Sequence, residues 1–168
     1  MIFSIRTALM GDAESISNLI VPLTRKYVCP DCDVSVHDVL LASMSTDRIK
    51  LYLSSNYSYL VAISDNNEVI GVVGIRDNSH LFHLFVHDSF QGIGLSRKLW
   101  EVAKNLAMKN GNRGRFTVNS ALRAEQIYKN FGFNRIDGVR REKGMVDIPM
   151  VMDKVCGDVI STDSSSVI

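Results

Sequence analysis

The sequence predicts a mixed α/β domain with a mostly antiparallel sheet, one central parallel strand pair and flanking helices. Three observations carry that prediction. Residues 59–64, 68–76 and 80–86 are apolar runs separated by the turn clusters Asp65-Asn66-Asn67 and Asp77-Asn78-Ser79, the pattern of an antiparallel meander. Residues 94–110 then repeat apolar positions at helical spacing before a short strand at 115–119, and a strand reached through a whole helix runs parallel to its predecessor. Helical periodicity on both sides of this core supplies the flanking layers.

Residues 3–9 alternate as a first strand, and Asp12 is placed to cap a helix that begins at Ala13. Ile16, Leu19, Ile20, Leu23 and Tyr27 give that helix a buried face, and Pro30 marks its latest end. Residues 36–44 and 47–53 read as a second helical stretch, broken near Ser45-Thr46, with Val39, Leu40, Ile49 and Leu53 inward. In the helix over 94–110, Leu95, Leu99, Val102, Ala103 and Leu106 face the core, and Gly111 stops it. Residues 121–130 form a last helix with Ala124, Ile127, Tyr128 and Phe131 on one face and Gly132 as a left-handed cap. Two strands near 134–139 and 146–153 complete the sheet.

The chain has 168 residues, 46% of them apolar, which suits one domain, read as residues 1–155. A Ser- and Asp-rich tail over 156–168 is expected to fray. A net charge of +1 excludes a strongly basic nucleic-acid binder. No apolar run reaches the roughly 18 residues of a membrane span, and no charged-then-apolar leader opens the chain, so a cytoplasmic protein without membrane or nucleic-acid partners is expected. Three cysteines cannot form an even disulfide framework, and Cys29-Pro30-Asp31-Cys32 supplies one ligand pair of the two a structural zinc needs. No metal is expected, and the two cysteines read as reduced thiols near a helix end.

The most informative stretch runs from Leu84-Phe85-Val86 through Gln91-Gly92-Ile93-Gly94 into Leu95-Ser96-Arg97, a strand entering a helix through a glycine turn. The first amides of a helix lack intrahelical acceptors, the macrodipole is positive there, and glycines admit a phosphate close to the backbone. A glycine turn without a ligand is the competing reading. No P-loop pattern exists in the chain, and the dinucleotide fingerprint fails because its third glycine position holds Arg97.

These residues resemble the GCN5-related N-acetyltransferase (GNAT) family. Its signature is Gln or Arg, two residues, Gly, one residue, then Gly or Ala; Gln91 and Gly94 match, and Ser96 departs at the last position. Ile5-Arg6-Thr7-Ala8 with Asp12-Ala13 is similar to the family's opening, and Val118-Asn119 with Ala124, Tyr128, Gly132 and Phe133 to its closing half, so the likeness spans residues 3–153.

The resemblance implies that the strand carrying Leu84, Phe85 and Val86 splays from its parallel neighbour, and that the pantetheine arm of acetyl-CoA lies in the gap. It also implies that the Val86 amide polarises the acetyl carbonyl, where negative charge develops. The amides of Gln91, Gly92, Ile93, Gly94, Leu95 and Ser96 would hold the pyrophosphate, with Arg97 or Lys98 serving the remaining charge. Asn119 would bond the pantetheine amides. Tyr128 would protonate the departing thiolate, since a phenol of pKa ~10 is protonated where a thiol of pKa ~8.5 is formed. Read without the family, Arg97 and Lys98 are a solvated helix face, Tyr128 is a core residue, and Asn119 or Ser120 caps the next helix.

The acceptor ammonium must lose a proton before it attacks. Relatives often place a Glu, or a side chain acting through water, on the strand that here is residues 80–86. This sequence offers His80 and His83, three apart and so on opposite faces of a regular strand. His80 is the candidate general base, its alternatives being a structural histidine or proton removal by water, and an imidazole of pKa ~6.5 suits that work. His87 beside Asp88 reads as a solvated pair.

The expectation is therefore an N-acetyltransferase that passes the acetyl group of acetyl-CoA directly to the primary amine of a small molecule or peptide within a ternary complex. A non-catalytic sensor of acetyl-CoA or CoA, or an interaction domain of the same fold, is the alternative. Residues 27–37 and 139–146 would shape the acceptor side; Asp31, Asp33 and Asp38 at the first oppose Arg140, Arg141 and Lys143 at the second, so charge names no acceptor. The resemblance leaves a homodimer open.

Overall fold

The computed structural model describes residues 2–154, so the expected tail at 156–168, with Cys156, lies outside the described residues. The strands are β1 (Phe3–Thr7), β2 (Tyr57–Ser64), β3 (Val69–Arg76), β4 (His80–Val86), β5 (Arg115–Ser120), β6 (Asn134–Arg135), β7 (Arg140–Glu142) and β8 (Met145–Asp153). The helices are α1 (Ala13–Tyr27), α2 (His37–Ala42), α3 (Thr46–Leu53), α4 (Leu95–Lys109) and α5 (Glu125–Phe131). One sheet runs in the order β1-β2-β3-β4-β5-β8-β6, with β7 joined to β8. As the sequence predicts, β4 and β5 pair in parallel and the other neighbours pair antiparallel.

Burial explains why some strands are continuous apolar runs and others alternate. β2 and β3 are covered on both faces: α4 packs one side through Leu95, Leu99 and Trp100, while α1 and α3 pack the other through Ile16, Ile20, Leu23 and Ile49. β5 and β8 alternate strictly, with Phe116, Val118, Ile148, Met150 and Met152 buried and Thr117, Asn119, Pro149 and Val151 partly or fully exposed. Among the described residues, no element covers β5 and β8 on the α1 side of the sheet.

Several local expectations are corrected. Asp12 does not cap α1; its carboxylate accepts from the Arg6 guanidinium at 2.7 and 3.0 Å and from the Leu9 amide at 2.6 Å, and a charged donor outcompetes a neutral amide. Ser45 does divide α2 from α3, accepting from the Arg48 amide, but Val39 on the short α2 is 74% exposed because no element covers that side. In α4 the buried arc is turned by about one residue: Trp100 is buried against Phe116 and Phe133, and Leu106 lies at the surface. Ile127 on α5 is likewise exposed, while Gly132 ends that helix in the left-handed region as expected. Of the strand expected over 134–139 only β6 forms, and a separate short strand, β7, follows at Arg140–Glu142.

Candidate active site

The parallel ladder between β4 and β5 is short, joining His80 to Thr117 and Leu81 to Val118 and then stopping. Beyond it, β4 remains paired with β3. The His87 amide donates to Ile70 O at 2.8 Å, and alternation along an antiparallel pair then points the amides of Leu84 and Val86 away from β3, into the gap left by β5. Phe85, between them, bonds toward β3. Gln91 reaches back across this opening, donating from Nε2 to Val86 O and to Asp88 Oδ1, both at 3.1 Å.

At the end of the gap the chain makes a 3-10 turn (Asp88–Phe90), passes Gly92 and Gly94 at φ 78° and 81°, and enters α4. A residue with a side chain is strained at these angles, so glycine sets the path. Gly94 is the N-cap of α4 and no side chain caps it, which leaves the amides at Leu95, Ser96 and Arg97 facing outward; no acidic residue lies in the first turn. Such unpaired backbone amides at a helix start make a candidate anion site. The Ile93 side chain is exposed and Leu95 is buried, so neither contributes more than its amide. The Arg97 side chain turns instead to α5, donating to Asn130 O at 3.1 Å and lying over the Phe131 ring.

Asn119 is the first β5 residue beyond the ladder and is exposed at the fork. It caps nothing: the following turn begins at Ala121 without a side-chain cap, and Ser120 Oγ donates to Ala121 O. Tyr128 on α5 is buried in the cluster that also holds Val86 and Val118, its ring edge-on to Phe131 and Phe133. Burial pushes its phenol well above the ordinary tyrosine range, so the proton is retained.

His80 and His83 do not diverge as a regular strand requires. Gly74 pairs with His83 but Ile75 pairs with Leu81, so β4 carries one extra residue, Phe82, in a bulge. The bulge brings Phe82 and His83 to the same face, with ring centroids 4.3 Å apart. Both histidines consequently lie on the α1 side of the sheet. His83 is 5% exposed, sits among Tyr52, Tyr59, Phe82 and Phe85, and meets Tyr59 Oη at 2.9 Å through Nδ1; burial lowers its pKa to about 3. It is a neutral structural residue. His80 is half-buried beside the open part of the sheet, with Nδ1 2.8 Å from Thr117 Oγ1. Burial, with Arg76 nearby, lowers its pKa, and Asp77 partly opposes them.

The segments expected to form the acceptor side meet. The Asp33 amide donates to Gly144 O at 2.9 Å, so the turn Val34–Val36 and the β7–β8 hairpin make one wall. Half of the six opposing charges there have a partner of their own: Asp31 with Arg123, Arg140 with Asp147, and Asp33 with the Ser35 amide. Cys29 and Cys32 are free and buried, and burial raises the Cys29 thiol pKa, which disfavours its thiolate. The described residues contain no group of three or more His, Cys, Asp or Glu side chains that could hold a metal ion, and no helix long and apolar enough to cross a membrane.

Residues 29–154 match the family model described as an acetyltransferase (GNAT) domain. The chain belongs to the GNAT acetyltransferase family. Solved GNAT structures share the fold at low identity. A GCN5-related N-acetyltransferase from Rhodopseudomonas palustris is 18% identical over 90% of this chain and 98% of its own, with a TM-score of 0.75. PaiA N-acetyltransferase from Thermoplasma acidophilum, solved with coenzyme A, is 14% identical over 90% and 99%, with a TM-score of 0.76. A GNAT acetyltransferase from Streptococcus pneumoniae is 22% identical over 89% and 98%, at 0.62. No curated protein matches the chain by sequence.

Within this GNAT domain the sequence reading missed two sets of contacts. Asp88 is not a solvated neighbour of His87: it accepts from Lys26 Nζ at 2.6 Å, Tyr27 Oη at 2.7 Å and Gln91 Nε2, tying the end of α1 to the anion loop. Lys26 and Tyr27 lie 62 and 61 residues away, beyond any local signal. The Tyr59 and His83 contact had a trace in sequence, since an isolated Gly74 inside a strand marks a bulge or a close approach.

Proposed function

We propose that this chain transfers the acetyl group of acetyl-CoA directly to a primary amine within a ternary complex. The observation that carries the reading is a run of chain with outward amides at each end, Leu84 and Val86 in the β4–β5 gap and the uncapped start of α4. A long ligand with an amide-bearing arm and a phosphate end fits that run. Leu84, Phe85, Val86 and Asn119 would line the arm. The backbone of Gln91, Gly92, Ile93, Gly94, Leu95 and Ser96 would take the phosphates. With Arg97 held against α5, Lys98 is the side chain left to add positive charge.

When bound, acetyl-CoA supplies an acetyl thioester. The Val86 N–H faces the place where negative charge develops on a carbonyl oxygen. Tyr128, kept protonated by burial, serves as the acid for a thiolate, and His80, whose lowered pKa keeps it neutral and which lies six residues from Val86 along β4, serves as the base for the ammonium through bridging water.

The test is thermal unfolding with acetyl-CoA at about 100 times its Kd, with NAD and ATP as matched anions, followed by assays of amine-dependent thiol release. Binding at that level adds roughly 2.7 kcal/mol, or a midpoint rise of roughly 5–10 °C for a chain of this size. Equal shifts with all three ligands, or none, overturn the reading. A specific shift without thiol release across amines leaves a binding domain and no transferase.

A further inference from the structure

The β4–β5 ladder puts Arg76, His80 and Thr117 in one row across three strands, on the α1 face of the sheet. Val151 of β8 continues the row. This is where the covered part of that face gives way to the open part, since Thr117 and Val151 lie on the exposed side of their alternating strands. His80 Nδ1 is occupied by Thr117 Oγ1 at 2.8 Å, and among the described residues no group bonds its Nε2. One ring nitrogen is held and the other faces no protein partner.

We propose that Thr117 is a positioning residue for proton transfer: its hydroxyl accepts from His80 Nδ1–H and so leaves the Nε2 lone pair to take the proton of the incoming ammonium. The proposal rests on the reading of His80 as the general base. A histidine acts as a base through one nitrogen only if the other carries the hydrogen, and the group bonded to that other nitrogen selects the tautomer. A hydroxyl can accept from Nδ1–H before and after Nε2 is protonated, so the bond is kept through the transfer.

A neutral orienting group also suits the charges around the ring. Arg76, from β3, stands opposite His80 in register and disfavours the imidazolium, while Asp77 in the following turn favours it and pairs with Arg76 at 3.6 Å. A carboxylate in place of Thr117 would raise the pKa of the ring against the lowering by burial and Arg76. Thr117 orients the ring without adding that charge.

The decisive experiment is nitrogen NMR of the histidine rings in the folded protein, with His80→Gln identifying the His80 signals among the four histidines. The expected result is the Nδ1–H tautomer at high pH. In Thr117→Val, which keeps the branched shape, the tautomer preference is lost and the His80 pKa falls by about one unit; Thr117→Ser restores both. An Nε2–H tautomer in the unsubstituted protein overturns the proposal, and that measurement needs no variant at position 117. Unchanged titration of His80 in Thr117→Val also overturns it. Failure of the parent reading looks different: the tautomer and its dependence on Thr117 persist, but an amine is acetylated equally fast by the His80→Gln protein.

Discussion

The Tyr59 hydroxyl lies 2.9 Å from Nδ1 of His83, joining β2 to β4 across the intervening strand over Gly74. Both residues are buried, and the hydroxyl and Nδ1 satisfy each other. Burial drives their titrations apart, raising the phenol and lowering the imidazole, so the pair is neutral at every ordinary pH.

Acid should therefore destabilise the fold before its carboxylates titrate. The unfolded chain binds a proton at His83 below about pH 6.5, while the folded chain resists it down to about pH 3. Stability is flat above pH 6.5 and falls below it, by about 1.4 kcal/mol per pH unit for this residue. Depressed carboxylates such as Glu125, near pKa 2, add their losses only below about pH 4.5. Urea midpoints between pH 4.5 and 7 should show a slope that shrinks in His83→Phe; an unchanged slope would exclude His83 as its source.

Gly74→Ala should cost about 1–3 kcal/mol. A Cβ at this position would stand 2.5 Å from two Tyr59 ring carbons, and that ring is held by His83 and by Tyr57 stacked beside it. Denaturant midpoints measure the loss, and an unaffected midpoint would mean that Tyr59 is free to move aside.

Asp88→Asn should weaken acetyl-CoA binding severalfold while leaving the unfolding temperature of the free protein nearly unchanged. The Lys26 and Tyr27 hydrogen bonds hold the Asp88 carboxylate below its usual pKa, and Asp88 in turn holds Gln91, which bridges to Val86 O. Titration of acetyl-CoA into both proteins by calorimetry checks the prediction. Identical affinities would show that the loop keeps its shape without this tether.

Tyr128→Phe and His80→Gln should each lower kcat by about a hundredfold. The stabilisation by acetyl-CoA should survive in both, because the cradle is backbone. Phe preserves the packing of Tyr128 against Phe131 and Phe133, so the first variant separates chemistry from core. Full activity in Tyr128→Phe would return that residue to packing alone.

The sequence by itself determined the meander, the glycine turn into α4, the parallel β5 and the cap at Gly132. Each is a local matter: period-two runs bounded by turn residues, helical spacing, and glycines where the backbone must turn left-handed. The same locality made the candidate anion site legible, since it would consist of the chain's own amides at one strand-to-helix junction. Side-chain assignments were another matter. Arg97 and Asp12 sit where a local reading expects a phosphate ligand and a helix cap, and each is taken by a closer partner, Asn130 with Phe131 for one and Arg6 for the other. Only the tertiary structure decided that His80 and His83 share a face, because the bulge at Phe82 belongs to the register between β3 and β4, and one extra residue reverses the face of every side chain after it. The pairing that gives His80 a hydroxyl on a third strand arises the same way, from a register between segments 37 residues apart that no periodicity encodes.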